Sequence, residues 1–106
     1  MIDAIEKLAS SVRSDSEFTE LIKSEVLTVV EHNGNPYNIN VFRIGTDDKT
    51  APTLFVTGGV HGLERIGAKL AWSLLKSTID RVKWDVALQE LFEKIRLVVV
   101  PLVNPV

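Results

Sequence analysis

The stretch Thr53-Leu-Phe-Val-Thr-Gly-Gly-Val-His-Gly-Leu-Glu64, with Leu97-Val-Val-Val-Pro-Leu-Val-Asn-Pro105 behind it, decides how this chain reads. Thr53 to Thr57 is a short apolar run held between Pro52 and Gly58, which predicts a buried strand. Gly58 and Gly59 break it. Ile66, Leu70, Leu74 and Leu75 then follow at helical spacing, with Ala68, Ala71 and Trp72 beside them, and the pattern fades by residues 77–80. Val86 to Ile95 carries Leu88, Leu91, Phe92 and Ile95 as a second helical piece. Arg96 to Val103 is β-branched and apolar, and Pro101 inside it marks where the ladder should end. Strand, helix, strand over residues 53–101 makes a right-handed βαβ unit with parallel neighbours. Continuously apolar strands imply a sheet covered on both faces, and these helices can cover only part of it.

Working outward, Glu25 to Glu31 and Tyr37 to Ile44 read as strands joined across His32-Asn-Gly-Asn-Pro36. Asn33-Gly34 tolerates positive φ at both positions, the requirement of a tight antiparallel hairpin. Ile2, Ile5, Leu8, Ala9 and Val12 predict an amphipathic helix over residues 2–12. Ser14, Asp15 and Ser16 offer a cap for a short second helix with Phe18, Leu21 and Ile22. Residues 45–52 are a surface loop by composition.

Bulk properties narrow the function. The 106 residues suit one modest domain, and 45% apolar with 25% charged residues is an ordinary globular profile. A net charge of −2 without basic clusters argues against nucleic-acid and membrane-surface partners. No run approaches the ~20 apolar residues of a membrane span. The N-terminus lacks a signal-peptide pattern, so a cytoplasmic location is expected. With no Cys, any metal site must draw on His and carboxylate.

His61 and Glu64 stand three apart where strand gives way to helix. On a helical turn both side chains share one face, within reach of one ion, and imidazole with carboxylate suits zinc. Gly58, Gly59 and Gly62 permit a sharp bend and close approach of a ligand. The bland reading stays open: the spacing also arises by chance, Glu64 would favour a helix N-terminus through the macrodipole, and glycines after a strand are ordinary turn residues. His32 reads as an exposed turn residue. Trp72 and Trp84 read as core. Arg65 could pair a substrate carboxylate but reads better as a surface residue. Asn104 could bond the loop that shapes the site.

The segment Gly58-Gly-Val-His-Gly-Leu-Glu64 resembles the zinc-binding segment of the zinc carboxypeptidase family. Val98-Val-Val-Pro-Leu-Val-Asn-Pro105 resembles that family's next parallel strand and its Asn-Pro-Asp-Gly end, and Glu25–Ile44 falls where the family has its first two strands. The likeness covers roughly residues 25–106. Val106 stands where Asp is usual, and Gly62 after His61 is similar to the related amidohydrolase and deacylase branches.

The resemblance implies an α/β fold, the N-terminal portion of a mixed-sheet, three-layer zinc hydrolase. Residues 1–24 would form N-terminal helices, and residues 25–106 the start of an incomplete hydrolase domain. It implies one zinc ion on His61, Glu64 and a later His, with a later Glu as general base and a later Arg for the substrate carboxylate. None of these last three has a counterpart here, so no catalytic residue is assigned, the substrate-binding residues stay unknown, and this chain alone should show negligible catalysis. The substrate of the complete protein would be a peptide or an acyl-amino acid. A deacylase or a non-catalytic binding domain are the alternatives. An α/β-hydrolase reading lacks its G-x-S-x-G nucleophile elbow. The resemblance also orders the sheet as hairpin, hairpin, 96–101, then 53–57 outermost, so association through that exposed edge is expected.

Overall fold

The structure is a computed structural model, described here for residues 1–14, 20–60 and 65–105. Its elements are α1 (Ile2–Ser14), β1 (Ile22–His32), β2 (Asn35–Gly45), β3 (Thr53–Thr57), α2 (Arg65–Val82), α3 (Val86–Phe92) and β4 (Arg96–Val100). The four strands form one mixed sheet in the order β1-β2-β4-β3. β1 and β2 pair antiparallel, as do β2 and β4, while β3 and β4 run parallel with Phe55 opposite Val98. The expected strand order, with residues 53–57 outermost, is the order observed.

The hairpin closes through Asn33 (φ 51) and Gly34 (φ 78). Two consecutive positive φ values match the right-handed twist of the flanking strands. Both strands are longer than the apolar pattern suggested, because backbone pairing continues to His32 and Asn35 after the side chains have left the core. A register shift between Val26 and Thr28 breaks the alternation of β1.

Pleating divides the sheet into two faces. On one, Phe42, Ile44, Leu97 and Val99 form a core with Ile5, Leu8, Ala9 and Val12 of α1, Ala68, Ala71, Leu75, Ile79 and Val82 of α2, and Phe92 of α3. On the other, Ile39, Val41, Val98 and Val100 make a smaller cluster joined by Val103, to which no described helix contributes. Both α1 and α2 therefore pack on the same side. Each fully buried Val, Leu, Ile or Phe there adds about 1.5–3 kcal/mol by leaving water.

Several sequence expectations need correction. α1 runs on through Ser14, and Ile22 opens β1 rather than lying in a second helix; Phe18 lies outside the described residues. α2 continues to Val82, because Ile79 and Val82 reach the core through a stretch whose polar neighbours hide the period. Its buried stripe is Ala68, Ala71, Leu75, Ile79 and Val82, while Ile66, Leu70 and Leu74 are exposed. Ala68 and Ala71 let the start of the helix lie close to the sheet, and Leu75, Ile79 and Val82 fill the core farther along. α3 stops at Phe92, and Leu91 points to solvent. Trp84 is also exposed, its ring centroid 5.9 Å from the Arg81 guanidinium carbon; Trp72 packs partly buried against the core.

Candidate metal-binding site

Both parallel strands end at the same edge of the sheet, and the chain leaves each through a short, tightly tied segment. The Gly58 N–H donates to Val100 O at 3.0 Å. Val103 N–H then donates to Gly58 O, and Asn104 N–H to Gly59 O, each at 2.9 Å. The exit of β3 is thus laced to the exit of β4 by three backbone bonds. Asn104 meets this loop through its backbone N–H, a bond that does not depend on its side chain.

Packing at this corner leaves no room for a side chain on Gly58. A Cβ there would sit 2.6 Å from Gly67 O, 2.7 Å from Pro101 O and 2.9 Å from Ala68 Cα. Gly59 has φ 62, and a Cβ on it would stand 2.6 Å from Leu102 Cδ1. The end of β3, the first turns of α2 and the strap after β4 therefore meet at one glycine.

His61, Gly62 and Glu64 fall in the connection between Val60 and Arg65, and they lie outside the described residues, as do the Arg65 side chain and Val106. Among the described residues no group of three or more His, Cys, Asp or Glu could hold a metal. The donor set nonetheless fits zinc: one imidazole and one carboxylate, with no thiol in the chain to compete. Gly58 and Gly67, which flank this connection, approach each other closely.

His32 is exposed at the last position of β1, far along the hairpin, and is not part of this corner. Two grooves that sequence reasoning missed lie towards the opposite end of the sheet. One, of about 450 Å3, is lined by Lys23, Glu25, Arg43, Asp47, Lys49 and Arg96 among others. Lys23 bonds Asp47 at 2.7 Å, Arg43 pairs with Glu25, and Arg96 Nε donates to Thr53 Oγ1 at 3.0 Å. Its charges come from three strands and a loop, so only strand register brings them together and no sequence motif announces them. The other, about 380 Å3, is mostly apolar and includes Leu54, Leu74, Leu88, Phe92 and Leu97.

The resolved shifts in acidity also lie away from the glycine corner. Asp48 is held below the usual carboxylate range chiefly by the Thr50 hydroxyl and then by its backbone N–H. Asp85 is lowered chiefly by the Leu88 N–H it caps and then by the Arg81 guanidinium.

No curated protein is significantly similar in sequence to this chain. Solved structures are similar in fold. A carboxypeptidase A-like protein from Shewanella denitrificans OS-217 superposes with a TM-score of 0.70 at 22% identity over 97% of this chain. Thrombin activatable fibrinolysis inhibitor gives 0.71 at 12% identity over 98%, and a metallo-carboxypeptidase from Burkholderia cenocepacia gives 0.60 at 18% over 94%. This chain spans 25%, 25% and 26% of those three chains, respectively, or about a quarter of their length. The profile of the zinc carboxypeptidases, peptidase family M14, matches residues 24–105. With the four-stranded mixed sheet and the glycine corner in place, the match over most of its length shows that this chain belongs to the zinc carboxypeptidase family.

Proposed function

We propose that this chain supplies His61 and Glu64 as the first two ligands of a zinc centre in a carboxypeptidase-type amide hydrolase. The observation that carries the reading is position. Residues 61–64 lie at the C-terminal end of a parallel strand, between a locked glycine corner and a long helix, within the segment that matches the family. Open α/β sheets place ligands outside the carboxyl ends of their strands.

Bound zinc would polarise a scissile carbonyl and lower the pKa of its water. The chain's own contribution is to hold the two donors and to fix their approach through the Gly58–Val103 and Gly59–Asn104 bonds. A third ligand and a general base would come from sequence corresponding to the remaining three quarters of the relatives' length. On this reading residues 25–106 are the start of the hydrolase domain, and α1 belongs with them because it shares their core. The substrate is an amide close to a free carboxylate, as in a peptide. Gly62 favours an acyl-amino acid as the second reading, and a panel of both substrates with the complete enzyme separates them.

Zinc titration of the 106-residue chain against a chromophoric chelator tests the ligand pair. His61→Ala and Glu64→Ala should each weaken binding at least tenfold. Equal affinity in wild type and both variants would end the proposal.

A further inference from the structure

We propose that the groove lined by Lys23, Glu25, Arg43, Asp47, Lys49 and Arg96 binds a small dianion carrying carboxylate or phosphate oxygens, with Lys49 and Arg96 as its recognition cations. The inference is independent of the zinc reading. Thr53 and Arg96 open the two parallel strands, whereas the glycine corner follows their ends, about 16 Å away at ~3.3 Å per residue. At about 450 Å3 the groove has the size of a small-molecule site. Its charge sets it apart from the chain as a whole. Four cations face two carboxylates there, a local excess of two positive charges in a chain whose net charge is −2. Burying six ionised groups is costly, so such a groove belongs on a solvated surface.

The ion pairs decide which cations are open to a ligand. Lys23 Nζ bonds both Asp47 carboxylate oxygens at 2.7 Å, and Arg43 pairs with Glu25. Both carboxylates of the groove are thereby engaged. Lys49 makes no ion pair among the described residues. Arg96 Nε donates to Thr53 Oγ1 at 3.0 Å, which holds the guanidinium in place and leaves both terminal nitrogens without a bonded partner among the described residues. A guanidinium held this way can offer parallel N–H groups to a carboxylate or a phosphate. Asp48 feels the positive charge of Arg96, but its carboxylate accepts the Thr50 N–H and hydroxyl. Counting it still leaves the region positive. The Lys23–Asp47 and Arg43–Glu25 pairs are exposed, and exposed pairs hold little net energy. Lys23 and Arg43 can therefore turn towards an incoming anion. Gly45, paired with Arg96, lines the groove with backbone alone.

Titration calorimetry of the 106-residue chain tests this with two probes, inorganic phosphate and succinate, at ionic strength matched with sodium chloride. At least one should bind at one site per chain. Tighter phosphate identifies a phosphate ester as the ligand class, and tighter succinate a dicarboxylate. Lys49→Ala and Arg96→Gln should each weaken binding about fivefold or more, the loss of one charge-assisted contact. Lys69→Ala, which removes an exposed lysine of α2, should leave affinity within about twofold. Asp47→Asn releases Lys23 and should tighten binding about threefold, a gain that a folding defect would not produce. Should Arg96→Gln fail to fold, Lys49→Ala and Asp47→Asn decide. No binding of either probe, unchanged affinity in Lys49→Ala, or no gain in Asp47→Asn overturns the inference. So does a loss in Lys69→Ala as large as that in Lys49→Ala, because attraction to net charge alone would produce it.

Discussion

Asn40 Nδ2 donates to Glu6 Oε1 at 2.9 Å, joining β2 to α1 across the helix-side core. Asn40 is only 3% exposed, and its Oδ1 has no hydrogen-bond partner among the described residues. A buried amide with one end already unpaired depends on Glu6 for the other. Glu6→Ala should therefore cost about 1–3 kcal/mol in urea unfolding, the penalty for stranding a buried donor. Adding Asn40→Leu to that variant should recover part of the loss, since the stranded group is then gone. A Glu6→Ala protein as stable as wild type would show that the bond carries no net energy.

Two glycines should respond in opposite directions. Gly67 lies inside α2 with only ordinary contact for a Cβ, so Gly67→Ala should stabilise by ~0.5–1 kcal/mol through helix propensity. Gly45 has φ 120 and a Cβ there would collide with the Ile95 carbonyl oxygen. Gly45→Ala should destabilise by roughly 2 kcal/mol or more, combining backbone strain with the clash. Chemical denaturation of both variants in one buffer checks the sign of each.

Acid should act on the cap of α3. Asp85 accepts from Leu88 N–H at 3.1 Å and from Arg81 at 2.7 Å, and both bonds hold its carboxyl below the ordinary range. A lowered folded-state pKa means the contribution is complete above the unfolded-state pKa and is lost as pH falls through the folded one. Asp85→Asn should thus flatten the acid limb of the stability–pH profile and change little of its shape at neutral pH. If the acid limbs of variant and wild type superpose, the cap carries no titrating stability.

The outer edge of β3 has no strand beside it among the described residues, and Leu54 and Phe55 are 62% and 60% exposed. Ile66, Leu70 and Leu74 of α2 add apolar surface, with Leu74 and Leu54 lining one groove. Unpaired edges flanked by apolar side chains recruit other strands. Sedimentation velocity of the 106-residue chain should show association that Phe55→Lys reduces. A dilute wild-type monomer with cooperative unfolding would show that the edge is tolerated.

Much of the fold was legible before the structure. Asn33-Gly34 set the hairpin because few residue pairs accept two positive φ values, and the apolar runs at 53–57 and 96–100 marked the two strands. The expectation that 53–57 is buried fails, because at the sheet edge it is mostly exposed. Pro101 ended the ladder where its missing N–H required. The spacing of His61 and Glu64 behind two glycines was readable as a candidate ligand pair, and both lie outside the described residues.

Other features had no local signature. Which stripe of α2 turns inward depends on how close the helix lies to the sheet, and small residues won over Ile66 and Leu70 for that reason. The groove between Lys23 and Arg96 exists only through strand register. The packing around Gly58 is of the same kind. In sequence it is a glycine after a strand, and only the convergence of Gly67, Ala68 and Pro101 upon it makes any side chain impossible there. Sequence determined the local conformations, because propensity and turn chemistry act over a few residues. Tertiary structure decided which distant backbones meet, because close packing is a property of the assembled whole.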